Sequence, residues 1–244
     1  SHIFRLNSLD TKSWFEETEE KLFARRELSK FLHEFEDYKQ NEENRKTFRY
    51  FDFDILLTNP PFAGEIHDPF LIREYELTKN KKGDYSDKVE RDLLFIERVL
   101  QFIKPGGRLA IVLPQGKLNN TNTEYIRRWF LEKGRILAVV GLHQNTFKLP
   151  APAKGTSTKT SILFFQKWND NPNLGPLNLY QEDYPIFMAV SKKPGKNNSG
   201  EYVYKKGPNG ELCKDGGGNL IVDSDLDEIA EAFIKFAKEQ KFGF

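Results

Sequence analysis

A chain of 244 residues, 38% hydrophobic and 30% charged, can bury a sizeable core, which excludes disordered, fibrous and collagen-like classes. Its mean hydropathy of −0.63 and the lack of any long uncharged apolar run exclude a spanning helix; nothing reads as a signal peptide, and a cytoplasmic location without membrane attachment is expected. The net charge of +1, from 37 basic and 36 acidic residues, forecasts no general polyanion affinity, so a polyanion would have to be gripped by a local patch.

Residues 3 to 6 (IFRL) read as a short strand. Ser13 and Glu16 resemble a capping box opening a helix to about Tyr38, along which Trp14, Leu22, Phe23, Leu28, Phe31, Leu32 and Phe35 recur at three- and four-residue steps. Ile55, Leu56 and Leu57 form an apolar block of the kind that fills a central parallel strand, and Thr58-Asn59-Pro60-Pro61 stops it. From Ser86 to about Ile103, Val89, Leu93, Leu94, Ile96, Val99 and Leu100 repeat with helical spacing, and Lys104-Pro105-Gly106-Gly107 reads as the stop. RLAIVLP is a buried strand, Thr121 with Glu124 opens a helix through Leu131, and Gly134 gives way to the strand ILAVVGL. A polar segment from 144 to 160 precedes the strand SILFFQKW. This alternation predicts an α/β fold, a twisted parallel sheet with helices on its faces. After Trp168 the composition turns to Asn, Pro and Gly, so residues 1–168 are expected to form one domain and 169–244 an extension. That extension holds a hairpin around Pro208-Asn209-Gly210 and an amphipathic helix from Asp223 to Phe242, opened by Ser224 and Asp227. No internal repeat is evident.

The informative motif is Asn59-Pro60-Pro61-Phe62, just beyond the carboxyl end of an apolar strand, where open α/β sheets bind ligands. Two prolines fix φ, lack amide donors and push Asn59 toward an extended conformation, which leaves a stiff loop with its carbonyls available as acceptors. Methylating an exocyclic amine requires drawing its lone pair out of ring conjugation, and acceptors for both N–H protons favour this as charge develops. The Asn59 oxygen and the Pro60 carbonyl can accept them, while Phe62 offers a face for a planar base. A plain turn closed by an aromatic is the alternative. This tetrapeptide arises by chance in only about one chain per thousand of this length, which favours the functional reading.

DILLTNPPF, followed at a distance by DLLFIERVLQFIKPGGRLAIVLPQG and HQNTFKLPAPAKGTSTKTSILFFQK, resembles the DNA adenine-N6 methyltransferases, specifically the modification subunit of type I restriction–modification systems. The resemblance covers roughly residues 5 to 167. It implies a Rossmann-like sheet with helices on both faces, S-adenosylmethionine as methyl donor and a flipped adenine as acceptor. It further implies DNA and a DNA-specificity subunit as partners, together with a second modification subunit and a restriction subunit. Carried over by position, Asn59 and Pro60 bind the amine, Phe62 stacks the base and Pro61 holds the turn. Asn7-Ser8-Leu9 resembles the segment that touches the donor's adenine; the family usually has an acid where Asn7 stands, and a simple turn is the other reading. No glycine-rich strand-to-helix turn precedes Ile3, and Gly216-Gly217-Gly218 lies before a strand rather than after one. The chain is therefore expected to be the C-terminal part of a catalytic domain, binding the donor weakly and methylating little by itself.

Lys154, Thr156 and Lys159 make a short basic, polar loop that could touch DNA phosphates or simply be solvated. The single Cys213 excludes an internal disulfide, and four histidines at unrelated spacings give no metal pattern. Two rival functions stay open. One is a protein glutamine N5-methyltransferase, whose loop usually ends in Tyr; the other is a noncatalytic scaffold that docks a specificity partner.

Overall fold

The structure is a computed structural model that describes residues 6–10, 13, 18–28, 51–80, 82–153 and 155–242. The strand expected at 3 to 6 and the helix beyond residue 28 lie outside these residues, apart from Leu6, which is not in a strand. The first helix, α1, spans Glu19–Leu28 and starts from Thr18, whose hydroxyl accepts the Lys21 amide at 3.3 Å. Ser13 instead donates its hydroxyl to the Asp10 carbonyl at 2.7 Å. Leu22 and Phe23 are exposed and Ala24 is buried, so the described part of α1 does not pack by the face its spacing suggested.

In chain order follow β1 (Phe53–Thr58), β2 (Glu65–Ile66), α2 (Pro69–Ile72), β3 (Val89–Glu90), α3 (Arg91–Leu100), β4 (Ile103–Pro114), α4 (Gln115–Asn119), a 3-10 turn, α5 (Glu124–Lys133), β5 (Gly134–Gly141), β6 (Thr160–Lys167), β7 (Phe187–Val190) and α6 (Leu226–Glu239). Five strands form one sheet in the order β1-β4-β6-β5-β7, and β2 pairs with β3 in a second.

The sheet is mixed rather than wholly parallel. β1 runs parallel to β4, with Leu56 beside Leu109 and Thr58 beside Ile111, and β5 runs parallel to β7. β6 runs against its neighbours: the Gln115 amide just past β4 donates to Lys159 just before β6 at 2.9 Å, and Leu142 just past β5 donates to Thr160 at 2.8 Å. The cause lies in the connection. A parallel return needs a crossover of a dozen or more residues, usually a helix, and the described part of 142–159 carries only turns.

Two sequence expectations fail on particular strands. β1 lies at an edge of this sheet instead of its centre, and Ile55 and Leu57, on one face of it, are 61% and 76% exposed. Lys104-Pro105-Gly106-Gly107 does not stop a helix either. α3 ends at Leu100, and these residues form a bulge inside β4, where Phe53 pairs with Ile103 but Ile55 pairs with Arg108. Gly106 makes the bulge with φ of 73°, and its carbonyl accepts the buried Gln166 amide group at 3.0 Å. Val89 likewise belongs to β3, and Ile103 to β4, rather than to the helix between them.

The chain divides into two compact units, residues 1–111, 129–135 and 165–181 in one and 112–128, 136–164 and 182–244 in the other. In the first, Leu94, Ile96, Ile103, Leu109, Phe130 and Phe165 are almost wholly buried, and the Phe130 and Phe165 rings meet at 5.6 Å. In the second, α6 lays Phe233 against Phe164 and Phe187 at 6.0 and 5.5 Å. Its start is fixed by Asp225, whose carboxylate accepts the Ser191 hydroxyl at 2.6 Å and the Lys192 amide at 2.7 Å. Burial alone would raise that carboxyl, but these bonds outweigh it and hold it below the ordinary range.

The second unit also contains a repeat that the sequence reading missed. Residues 196–202, 206–212 and 214–220 each run Lys-x-x-x-Gly-x-apolar and close a hairpin by a bridge from lysine to apolar residue. The glycines have φ of 86°, 86° and 83°, which suits glycine at a turn of this kind. Asn197 and Asp215 brace the first and third turns by accepting two amides each on one side-chain oxygen. The first is closed below by the Val203 amide on the Gly195 carbonyl, and at the base of the second and third the Lys205 amide donates to Ile221, Ile221 to Cys213 and Cys213 to Lys205, so three residues eight apart close a ring. Residues 79–85 in the first unit repeat the same turn, with Gly83 at φ of 88° and the Lys79 ammonium 5.4 Å from the Tyr85 ring centroid.

Candidate active site

β1 ends at Thr58, and Asn59, exposed, is the first residue beyond its hydrogen-bonded register. Pro60 is buried, Pro61 exposed and Phe62 half-buried, so the loop is seated by one proline and presents the residues on either side of it. The expected motif thus stands at the carboxyl end of a parallel strand, with Asn59 open to a ligand.

The chain after Phe62 is tied down at once. Gly64, at φ of 111°, lies under the Arg91 guanidinium, where an added Cβ would come within 3.0 Å of it. The Arg91 amide, at the start of α3, donates to the Gly64 carbonyl at 3.0 Å, and Glu65 and Ile66 then pair with Glu90 and Val89. Asp68 caps α2 by accepting the Phe70 and Leu71 amides at 2.9 and 3.3 Å. Further along, the buried Glu97 accepts the Leu77 amide at 3.0 Å.

Burial raises the Glu97 carboxyl above its ordinary value of 4.5, against the lowering pull of the Leu77 amide. A carboxyl that titrates higher when folded favours the folded state while neutral. That contribution is complete below the ordinary value and is lost as pH rises through the folded one. Glu97→Gln is accordingly expected to flatten the decline in stability above about pH 5. Unfolding midpoints followed from pH 4 to 8 check this, and parallel wild-type and variant curves would exclude it.

The segment expected near the donor lies in the same compact unit. Asn7 is exposed and its side-chain oxygen accepts the Leu9 amide at 3.1 Å, so the segment forms a side-chain-braced turn. Leu9 is buried in a cluster with Ile72, Tyr75, Val89 and Leu94, against which Ile66 also packs. Its carbonyl accepts from Tyr75 Oη at 2.8 Å and from Arg98 Nη2 at 3.0 Å. Sequence reasoning passed over Arg98, Tyr75, Glu97 and Arg91. The available signal was the charged pair Glu97 and Arg98 inside an otherwise apolar run from Leu93 to Leu100.

As a fit for S-adenosylmethionine, the carboxamide of Asn7 and the hydroxyl of the half-buried Ser8 offer donors and acceptors of the kind an adenine edge requires. No described strand-to-helix turn of this unit is rich in glycine, so the residues fit the adenosine end of the donor and not its methionine end. In the other unit, a cleft of about 300 Å³ beneath α6 is lined by apolar residues such as Val140, Ile162, Phe164 and Phe233, which leaves nothing to hold a ribose or a carboxylate. Also in that unit, Thr156 is half-buried and its hydroxyl bonds that of Thr158 at 2.8 Å, while Lys159 is exposed. Lys154 lies outside the described residues. Among the described residues no group of His, Cys, Asp or Glu is placed to hold a metal, and no helix is long and apolar enough to cross a membrane.

Fold and loop together define an α/β protein with a proline-stiffened Asn-Pro-Pro-Phe loop at a strand's carboxyl end. Residues 17–202, well over half of the chain, match the family described as N-6 DNA Methylase, and the chain belongs to that family. It is 28% identical over 133 residues to the EcoEI type I restriction enzyme methylase subunit of Escherichia coli, which covers 54% of this chain and 24% of that protein. It is 31% identical over 123 residues to the StySPI type I restriction enzyme methylase subunit of Salmonella potsdam, covering 49% and 20%. The type I restriction-modification methyltransferase subunit of Streptococcus thermophilus aligns with a TM-score of 0.44 at 22% identity, over 81% of this chain and 33% of that one. The chain thus spans about a quarter or less of the length of the curated relatives it matches.

Proposed function

We propose that this chain forms the base-binding side of a DNA adenine-N6 methyltransferase that works with a DNA-specificity subunit in a restriction–modification assembly. The observation that carries the reading is the exposed Asn59 set directly after β1 on a buried Pro60, in a chain of the N-6 DNA methylase family. S-adenosylmethionine, when bound, supplies a methyl group on a positively charged sulfur. The loop's work is on the acceptor. The Asn59 oxygen and the Pro60 carbonyl accept the two N–H protons of the adenine amine, which turns the nitrogen lone pair out of the ring and toward the methyl carbon. With the donor bound, transfer of its methyl to nitrogen would leave the sulfur neutral and place the positive charge on the amine, where the Asn59 oxygen and the Pro60 carbonyl would stabilise it. The amine then gives one proton to solvent.

Asn7 and Ser8 are proposed to meet the donor's adenine, and Thr156 and Lys159, with Lys154, to meet DNA phosphates. The test is transfer of labelled methyl to duplex DNA by the intact assembly, with a protein acceptor offered in parallel. Label appearing only in protein would overturn the adenine assignment.

Phe62 supplies a stacking face, and base–aromatic stacking is worth about 1–3 kcal/mol by alanine substitution. Phe62→Ala is expected to lower kcat/KM for DNA roughly ten- to hundredfold, whereas Phe62→Tyr keeps most of it. Fluorescence of 2-aminopurine at the target position reports the stacked base. An equally quenched signal in Phe62→Ala would remove the stacking role.

A further inference from the structure

We propose that α3 acts as a strut that sets the spacing between the base-binding loop and the Asn7–Ser8 segment, with Arg98 and Tyr75 as the positioning residues at its far end. This rests on the reading of Asn7–Ser8 as part of the donor's cradle. Eight of the ten residues of α3 are buried, so the helix is embedded in the unit rather than laid on its surface. At its first residue, the Arg91 amide holds the Gly64 carbonyl two residues beyond Phe62. Seven residues further on, about 10 Å along the axis at 1.5 Å per residue, Arg98 holds the Leu9 carbonyl.

The far grip is elaborate for one carbonyl. Arg98 as a whole is 2% exposed. It donates through Nε and Nη2 to Tyr75 Oη at 3.0 and 2.7 Å, through Nη2 to Leu9 O at 3.0 Å and through Nη1 to Gln101 Oε1 at 2.7 Å. It also lies 5.0 Å from the Tyr75 ring centroid. Tyr75 is fully buried and gives its own hydroxyl proton to the same Leu9 carbonyl. Leu9 is thereby held at its amide by Asn7, at its carbonyl by Tyr75 and Arg98, and at its side chain by the core cluster.

Burying a guanidinium costs free energy unless its donors are satisfied, and an apolar pair would hold a core as well. What the fork adds is direction. Two donors converging on one carbonyl oxygen fix the peptide plane, and with it the aim of the Ser8 and Asn7 side chains one and two residues back. Glu97, one residue earlier on α3, holds the Leu77 amide in the same way, so the helix grips the excursion after the base loop as well.

The variants that test this are Tyr75→Phe, which keeps ring and packing but drops the hydroxyl, and Arg98→Lys, which keeps the charge but loses the fork. Asn7→Ala serves as the control for the donor reading. In the intact modification assembly, Tyr75→Phe and Arg98→Lys are each expected to raise the Kd for S-adenosylmethionine about tenfold, with the KM for DNA unchanged. Asn7→Ala is expected to raise the same Kd. If Asn7→Ala weakens the donor while the other two leave it untouched, the strut is wrong and the donor reading survives. If Asn7→Ala changes nothing, the donor reading falls and the proposal with it. Equal losses of donor and DNA affinity alongside a lowered Tm would make Arg98 and Tyr75 scaffold residues only, which also overturns the proposal.

Discussion

Asn59→Ala is expected to lower the rate of methyl transfer about a hundred- to a thousandfold in the intact assembly, because removing one preorganised partner of a developing charge costs about that much. Donor Kd should hardly move, since the proposed partner of the carboxamide is the amine and not the sulfonium. The backbone gives no reason for a folding defect. Asn59 is exposed, and the loop's stiffness comes from Pro60 and Pro61, which the variant keeps. Single-turnover methylation with saturating donor isolates the step, and an unchanged rate would exclude the amine-acceptor role. Asn59→Asp is a sharper probe, because it keeps an acceptor oxygen and brings a negative charge.

The largest effect on stability is expected from Gly106→Ala. The residue sits at φ of 73°, where an L side chain costs about 1–2 kcal/mol. The added methyl would also drive into the Pro176 carbonyl, and overpacking costs about 1–3 kcal/mol more. The two together amount to about 2–5 kcal/mol, which lowers Tm by roughly 5–15 °C in a chain of this size. Thermal unfolding monitored by circular dichroism measures it. A shift under 2 °C would mean that the bulge relaxes around the methyl, and that its geometry is not needed for β4 to pair with β1.

Gly106 also shows what the sequence could and could not carry. Pro-Gly-Gly after an amphipathic run satisfies every local rule for a helix stop, and those same residues satisfy the needs of a bulge. The decision lies with the β1 register, which skips from Ile103 to Arg108 opposite Phe53 and Ile55. The strands themselves were legible, because RLAIVLP, ILAVVG and SILFFQ are apolar runs of strand length. Their relative directions were not, since the antiparallel course of β6 depends on the described turns of 142–159 carrying no crossover helix. The place of Asn59 to Phe62 just past a strand was legible because the signal is local: two prolines after an apolar run end the strand, and the proposed acceptors and ring fall in the same four residues. Arg98, Tyr75 and Leu9 were not, as their meeting joins residues 66 and 89 positions apart. The hairpin repeat escaped notice because its copies share only Lys, Gly and one apolar position, while its regularity is written in backbone bonds.

That ring beneath the second and third hairpins separates what the chain can change from what it must keep. Its bonds tie Lys205, Cys213 and Ile221 at a fixed spacing, so one residue gained or lost between them slips the closure. The tip of the third turn stands clear of it, and a side chain added at Gly216 would meet nothing within 4 Å, whereas Gly210 is equally open but its φ of 86° keeps it glycine. Variation can therefore be accommodated at the third tip while the base stays constant. The same division makes Gly216 an attachment point for a spectroscopic label that leaves the ring and α6 undisturbed.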